Sequence, residues 1–239
     1  MNARGTDAAS SEQRLVVDAY GIALAALLFS TLMLVSLATS VTSLVTGIAA
    51  MLQITALALT MRVSGATRRM SNVGIGLAVV LLIVSVAAAT SGSASGHAVA
   101  LGGWLLLVLS TIAAILRRLA QYRSVTMPLV MGLLCIYLLL GMAFGLTYAI
   151  AGVIAPPVFT QGEGTVSTSV YFSFVTLATV GYGDFTPANA VVRAVAVAEA
   201  MLGQLYLVSV VAAAVGRLGA GRPAPRVTDR GSEPDAGTP

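Results

Sequence analysis

Four stretches of this chain, at 41–61, 73–89, 99–116 and 127–151, run for about twenty residues without a charged side chain, and nothing else in the sequence limits its fold as much. A helix rises 1.5 Å per residue, so ~20 apolar residues cross the ~30 Å of a bilayer's hydrocarbon. Two further apolar runs join them: 15–37, interrupted by Asp18 near its start, and 189–215, which carries Arg193 and Glu199. Of the 239 residues 57% are hydrophobic and only 9% are charged, whereas soluble domains carry roughly a quarter charged. An ordinary soluble fold is excluded. Backbone groups in lipid must be satisfied within their own segment, so these runs are expected as transmembrane helices, six in all.

The arginines test that count independently. All thirteen basic residues are Arg. Arg4 and Arg14 precede the first run; Arg62, Arg68 and Arg69 follow the second; Arg117, Arg118 and Arg123 follow the fourth; and Arg217, Arg222, Arg226 and Arg230 follow the sixth. With six spans, twelve of the thirteen fall on one side, which the positive-inside rule makes the cytoplasm. Both termini are then cytoplasmic, and Arg193 is near the outer face. The first run exceeds the ~7–15 apolar residues of a signal peptide and is expected to remain as a span. The net charge of +4 is too small and too scattered to indicate a nucleic-acid partner. Cys135 stands alone in an apolar run, so neither a disulfide framework nor a cysteine metal site is expected. The stretches 90–97 and 152–165 read as irregular outer loops. Histidine changes charge near physiological pH, which makes His97, in the first of these loops, a candidate external proton sensor, though an inert loop residue is the commoner case.

Between the fifth and sixth runs lies Thr179-Val180-Gly181-Tyr182-Gly183-Asp184. Glycines alternate here with residues that carry side chains, in a segment too short to span a membrane. Such alternation opens backbone conformations closed to other residues, so successive carbonyls can face one side. Four such strands around an axis would stack rings of oxygens able to replace the water around a cation. The hexapeptide and the run before it, Tyr171 to Ala178, resemble the selectivity filter and pore helix of the pore-loop potassium channels. That resemblance implies an all-α membrane protein with six transmembrane helices, a re-entrant pore helix and a selectivity filter, assembled as a homotetramer. It implies K+ at Thr179, Val180, Gly181 and Tyr182, with Gly183 completing the filter and Asp184 at the outer mouth. The side chains of Val180 and Tyr182 would point away from the axis and pack behind the filter.

The flanks fit the same reading. Pro156 and Pro157 stop the fifth span, and Ser167, Thr168 or Ser169 is expected to cap a short helix running to Ala178. The negative end of that helix would point to the membrane centre and favour a cation. In the family, aromatic residues at the positions of Tyr171, Phe172 and Phe174 form a cuff around the filter. In the sixth span Gly203 lies twenty residues after Gly183, where the related inner helix often carries its hinge. A mid-helix glycine costs ~1 kcal/mol against alanine, so either bending or close packing must explain it. Val208, Val211, Ala212 and Val215 recur at helical spacing and can line an apolar inner gate. Gly141 and Gly145 form a GxxxG pair expected to serve helix packing. Glu199, an acid inside an apolar span, is either a proton sensor or a buried structural hydrogen-bonding group.

The fourth span departs from voltage-gated relatives: it has no internal arginine, and Arg117 and Arg118 mark its end as topology anchors. Steep voltage gating is therefore not expected. The domain reading is a cytoplasmic segment at 1–14, four spans at 15–126, a pore domain at 127–218 and a disordered cytoplasmic tail at 219–239, with no ligand-binding domain expected after the pore. The expected function is passive K+ conduction across a bacterial plasma membrane. No enzymatic activity, cofactor, nucleic acid or small-molecule substrate is expected; the partners are lipid and further copies of the chain. The rivals are a weakly selective cation channel, a transporter subunit, which would need several such loops, and a nonconducting scaffold.

Overall fold

The computed structural model describes residues 21–29, isolated positions between 32 and 87, and then 93–121, 126–162 and 164–220, with the backbone alone over 213–220. The spans expected at 41–61 and 73–89, most of the one at 15–37, and the tail lie wholly or largely outside the described residues. Residues 21–29 are helical. Four longer helices follow: α1, Ala94–Leu119; α2, Met127–Ile154; α3, Val166–Leu177; and α4, Ala190–Ala220. Among the described residues, three helical stretches are long and apolar enough to cross a membrane: Ser95–Leu119, Met127–Ile154 and Ala190–Ala212. The short apolar helix α3 lies between the last two.

Local chemistry sets the helix boundaries. The loop expected at 90–97 is shorter than its composition suggests, because Ser93 caps α1 by accepting from the Gly96 amide at 3.0 Å. His97 accordingly sits in the first turn of α1, its Nδ1 3.0 Å from the Ser93 carbonyl, and not in a loop. Arg117 and Arg118 occupy the last turn of α1, where cations suit the helix dipole. Pro128 stands in the first turn of α2, where its missing N–H goes unmissed. Asn189 opens α4 by accepting from the Val192 amide at 3.0 Å.

In lipid, helices associate by close packing, since a lipid tail is as apolar as a leucine. Glycines on α2 provide that closeness. A methyl added at Gly132 would meet the Leu119 side chain of α1 at 2.9 Å; one at Gly141 would meet the Phe174 ring of α3 at 2.7 Å, and one at Gly145 the Val170 backbone at 2.8 Å. The GxxxG pair is thus the seat of α3. Ala23 and Leu27 from the 21–29 helix join Val108, Ile112 and Ile115 of α1 and Cys135, Leu139, Met142 and Leu146 of α2 in one buried cluster. Cys135 is a packing residue within it.

Candidate functional site

The start of α3 differs from expectation by one turn's worth of hydroxyls: Thr165, not Ser167, Thr168 or Ser169, is its N-cap, accepting from the Thr168 amide at 3.3 Å. Its other end builds the site. Ala178 caps the helix, the Thr179 amide bonds back to the Thr176 carbonyl at 2.9 Å, and the Val180 amide bonds to the Val175 carbonyl at 2.9 Å. These two bonds make a Schellman stop, in which the residue after the cap takes a left-handed conformation. Thr179 does so, with φ +57°. Glycine is usual there; a β-branched residue is strained by of order 1–3 kcal/mol. The first residue of the hexapeptide is therefore also the residue that ends the helix.

The conformation then alternates. Gly181 has φ +56° and Gly183 φ +79°, while Val180 and Tyr182 between them are not in the positive region. The Gly181 amide also reaches the Val175 carbonyl, at 3.3 Å. In a trans peptide the N–H and the preceding C=O point in opposite directions. Because the amides of Thr179, Val180 and Gly181 all turn back to α3, the carbonyls of Ala178, Thr179 and Val180 all turn away from it. A row of oxygens on the free side is what a dehydrated cation requires. Residues 178–184 are all exposed in the single chain, Val180 at 51% and Tyr182 at 70%.

The outer end is tied down twice. Tyr171 of α3 donates its hydroxyl to Asp184 Oδ2 at 2.7 Å, and Asp184 Oδ1 accepts from the Phe185 amide at 3.2 Å. Beyond it the chain pairs with the loop after α2: Thr160 N–H donates to the Thr186 carbonyl at 3.0 Å and Ala188 N–H to the Val158 carbonyl at 2.8 Å. Gln161 Oε1 accepts from the Thr186 amide at 2.8 Å. Phe159 fills the space beneath, its ring centroid 4.8 Å from Phe172, 5.8 Å from Phe185 and 6.3 Å from Tyr148. The aromatics expected as a cuff thus divide: Phe172 belongs to this cluster, Phe174 covers Gly141, and Tyr171 holds Asp184. Tyr171→Phe should leave folding intact and loosen the outer end of the hexapeptide, because that end loses its tie to α3. Unchanged amide hydrogen exchange at Asp184 and Phe185 would show that this bond has no such role.

Two contacts press α4 against α3, one helical turn apart on each. Glu199, fully buried, meets Ser173 and also accepts from the Tyr148 hydroxyl of α2 at 2.7 Å. Gly203 meets Leu177, the last residue of α3; a methyl on Gly203 would lie 2.6 Å from the Leu177 carbonyl oxygen. Below them, the Tyr206 hydroxyl donates to the Leu133 carbonyl at 2.5 Å and its ring stacks on Tyr137 at 6.0 Å. Val208, Val211 and Ala212 are exposed on α4, together with Val197, Met201 and Leu205, as an apolar face without a partner among the described residues. The side chain of Val215 lies outside the described residues. The partners of Glu199 lie 26 and 51 residues away, too far for sequence spacing to reveal. Among the described residues, no group of three or more His, Cys, Asp or Glu side chains is placed to hold a metal ion.

Residues 132–219 match a protein-family model described as ion channel. The match starts within α2, takes in α3 and the hexapeptide, and ends near the end of α4. Neither curated proteins nor solved structures gave a match to the chain.

Proposed function

Taking residues 132–219 as an ion-channel pore, we propose that the chain is a potassium-selective channel, a homotetramer that conducts K+ passively through a filter made from Thr179, Val180, Gly181, Tyr182 and Gly183. The observation that carries this reading is the alternation of handedness along those residues, with their amides turned back to α3. One chain supplies one row of carbonyls, and a ring of oxygens around an ion needs four. The exposed side chains of Val180 and Tyr182 and the apolar face of α4 are where neighbouring copies would pack. In this assembly Asp184 stands at the outer mouth, while Val208, Val211, Ala212 and Val215 line the inner end of the path. The domain division, with four spans before a pore domain at 127–218, belongs to the same proposal, as do both termini in the cytoplasm of a bacterial cell.

The test is ion flux from purified protein in liposomes. K+ and Rb+ should pass, Na+ should be excluded, and conductance should vary weakly with voltage, because α1 carries its arginines at its end and none inside. Comparable Na+ and K+ fluxes would favour a weakly selective cation channel. No flux from folded tetramers would favour a scaffold, and a conductance curve moving several gating charges would overturn the voltage expectation.

A further inference from the structure

The buried Glu199 poses a problem of proton counting. Tyr148 donates to its Oε2 at 2.7 Å. Ser173 Oγ lies within hydrogen-bond distance of Glu199 Oε1 and also 2.7 Å from the carbonyl oxygen of Gly141. A serine hydroxyl has one proton and cannot donate to both. With an ionised carboxylate, Oε1 and the Gly141 carbonyl are both acceptors only, so one of the two contacts would bring oxygens together with no hydrogen between them. The count closes when the carboxyl supplies its own proton. Oε1–H then donates to Ser173, Ser173 donates on to Gly141, and Oε2, as the carbonyl oxygen, accepts from Tyr148.

We propose that Glu199 is held as a neutral carboxylic acid that starts a directed hydrogen-bond relay through Ser173 to the Gly141 carbonyl, and that this relay positions α3 between α2 and α4. The surroundings agree with it. The ionisable groups that α2 turns toward Glu199 are the phenols of Tyr148 and, farther off, Tyr137. From α3 it meets the Ser173 hydroxyl, and among the described residues no cation pairs with it. A buried carboxylate without a cation is expensive, and a neutral acid with one acceptor, Ser173, and one donor, Tyr148, around it is not. The glycine pair on α2 makes room for the relay, letting α3 approach closely enough for a serine to reach a helix carbonyl.

Ionising Glu199 would turn the Ser173 proton from Gly141 to the carboxylate and so loosen α3 from α2. Ser173 stands one turn before Leu177, and the filter begins two residues after Leu177. Raising the pH should therefore alter conduction through the filter; this consequence rests on the channel reading, whereas the proton count does not.

Glu199→Gln is the informative variant, because an amide N–H can replace the acid O–H toward Ser173 while the amide oxygen still accepts from Tyr148. Infrared difference spectra of wild type against Glu199→Gln in liposomes at neutral pH should show the carbonyl stretch of a protonated carboxyl, and Ser173→Ala should shift that band. In flux assays Glu199→Gln should match wild type at neutral pH and lose its response to rising pH. A carboxylate stretch in place of the acid band overturns the proposal, as does an unshifted band in Ser173→Ala. So does a Gln variant that fails to assemble or keeps the wild-type pH response. An acid band in protein that conducts no ion would sink the channel reading and leave the relay standing.

Discussion

Alanine at Gly181 or Gly183 is expected to abolish potassium flux from reconstituted protein and to leave assembly and thermal stability near wild type. A methyl at either position meets no atom of the described residues within 4 Å beyond its chain neighbours, so the effect is not a clash within the subunit. It comes from φ values of +56° and +79°, which cost an L-residue with a side chain roughly 1–2 kcal/mol each. Alanine would relieve that cost by turning the peptide over and taking a carbonyl out of the row. In an assembly of four the same turn occurs in every subunit and removes a whole ring. Wild-type flux from both variants would sink the assignment of this segment as an ion path.

Gly203→Ala is the second large effect, and it separates bending from packing. The added methyl would stand 2.6 Å from the Leu177 carbonyl oxygen and 2.8 Å from its Cδ1. A side-chain end can swing aside; a backbone carbonyl that closes α3 cannot. Overpacking of this kind typically costs 1–3 kcal/mol, and it must be relieved by moving one helix. Withdrawal of α4 stretches the Glu199 contact to Ser173, whereas displacement of α3 moves Thr179, two residues beyond Leu177. Either way the variant should melt earlier and discriminate less well between K+ and Na+. If Gly203 acts only as a bending point, alanine will change open probability and leave melting temperature and selectivity alone. Both outcomes are read from one preparation, by thermal denaturation and by reversal potential under mixed ions.

What the sequence disclosed and what it hid follow from the range of the forces involved. The hexapeptide was legible because its requirement is local: positive φ at alternate residues is a property of each residue and its neighbours. The long helices at 127–154 and 190–220 were legible because lipid imposes length and apolarity on every residue of a span. Caps were less so. Ser93 and Thr165 lie among other hydroxyl residues, and which one turns toward a free amide is decided by the backbone path, so α1 began earlier than its serine- and glycine-rich start suggested. The Glu199 cluster could be flagged as an acid in an apolar run, but its partners come from two other helices, and no periodicity links residues 148, 173 and 199. Gly203 had two readings for a similar reason: a glycine looks the same to the sequence whether its missing side chain makes room for a bend or for a neighbour's carbonyl.

The pairing of the loop after α2 with the exit of the hexapeptide has a mechanical consequence. The segment from Thr179 to Asp184 is tethered at one end to α3 and at the other to a short ladder of backbone bonds between 158–160 and 186–188. Its tension is set by both anchorages, so the loop is a structural member, not slack. Deleting a residue between Val158 and Gln161 would shift the rungs and drag the outer end of the hexapeptide with them, though the change lies wholly outside it. A tag or epitope placed there would act as a pull on the hexapeptide.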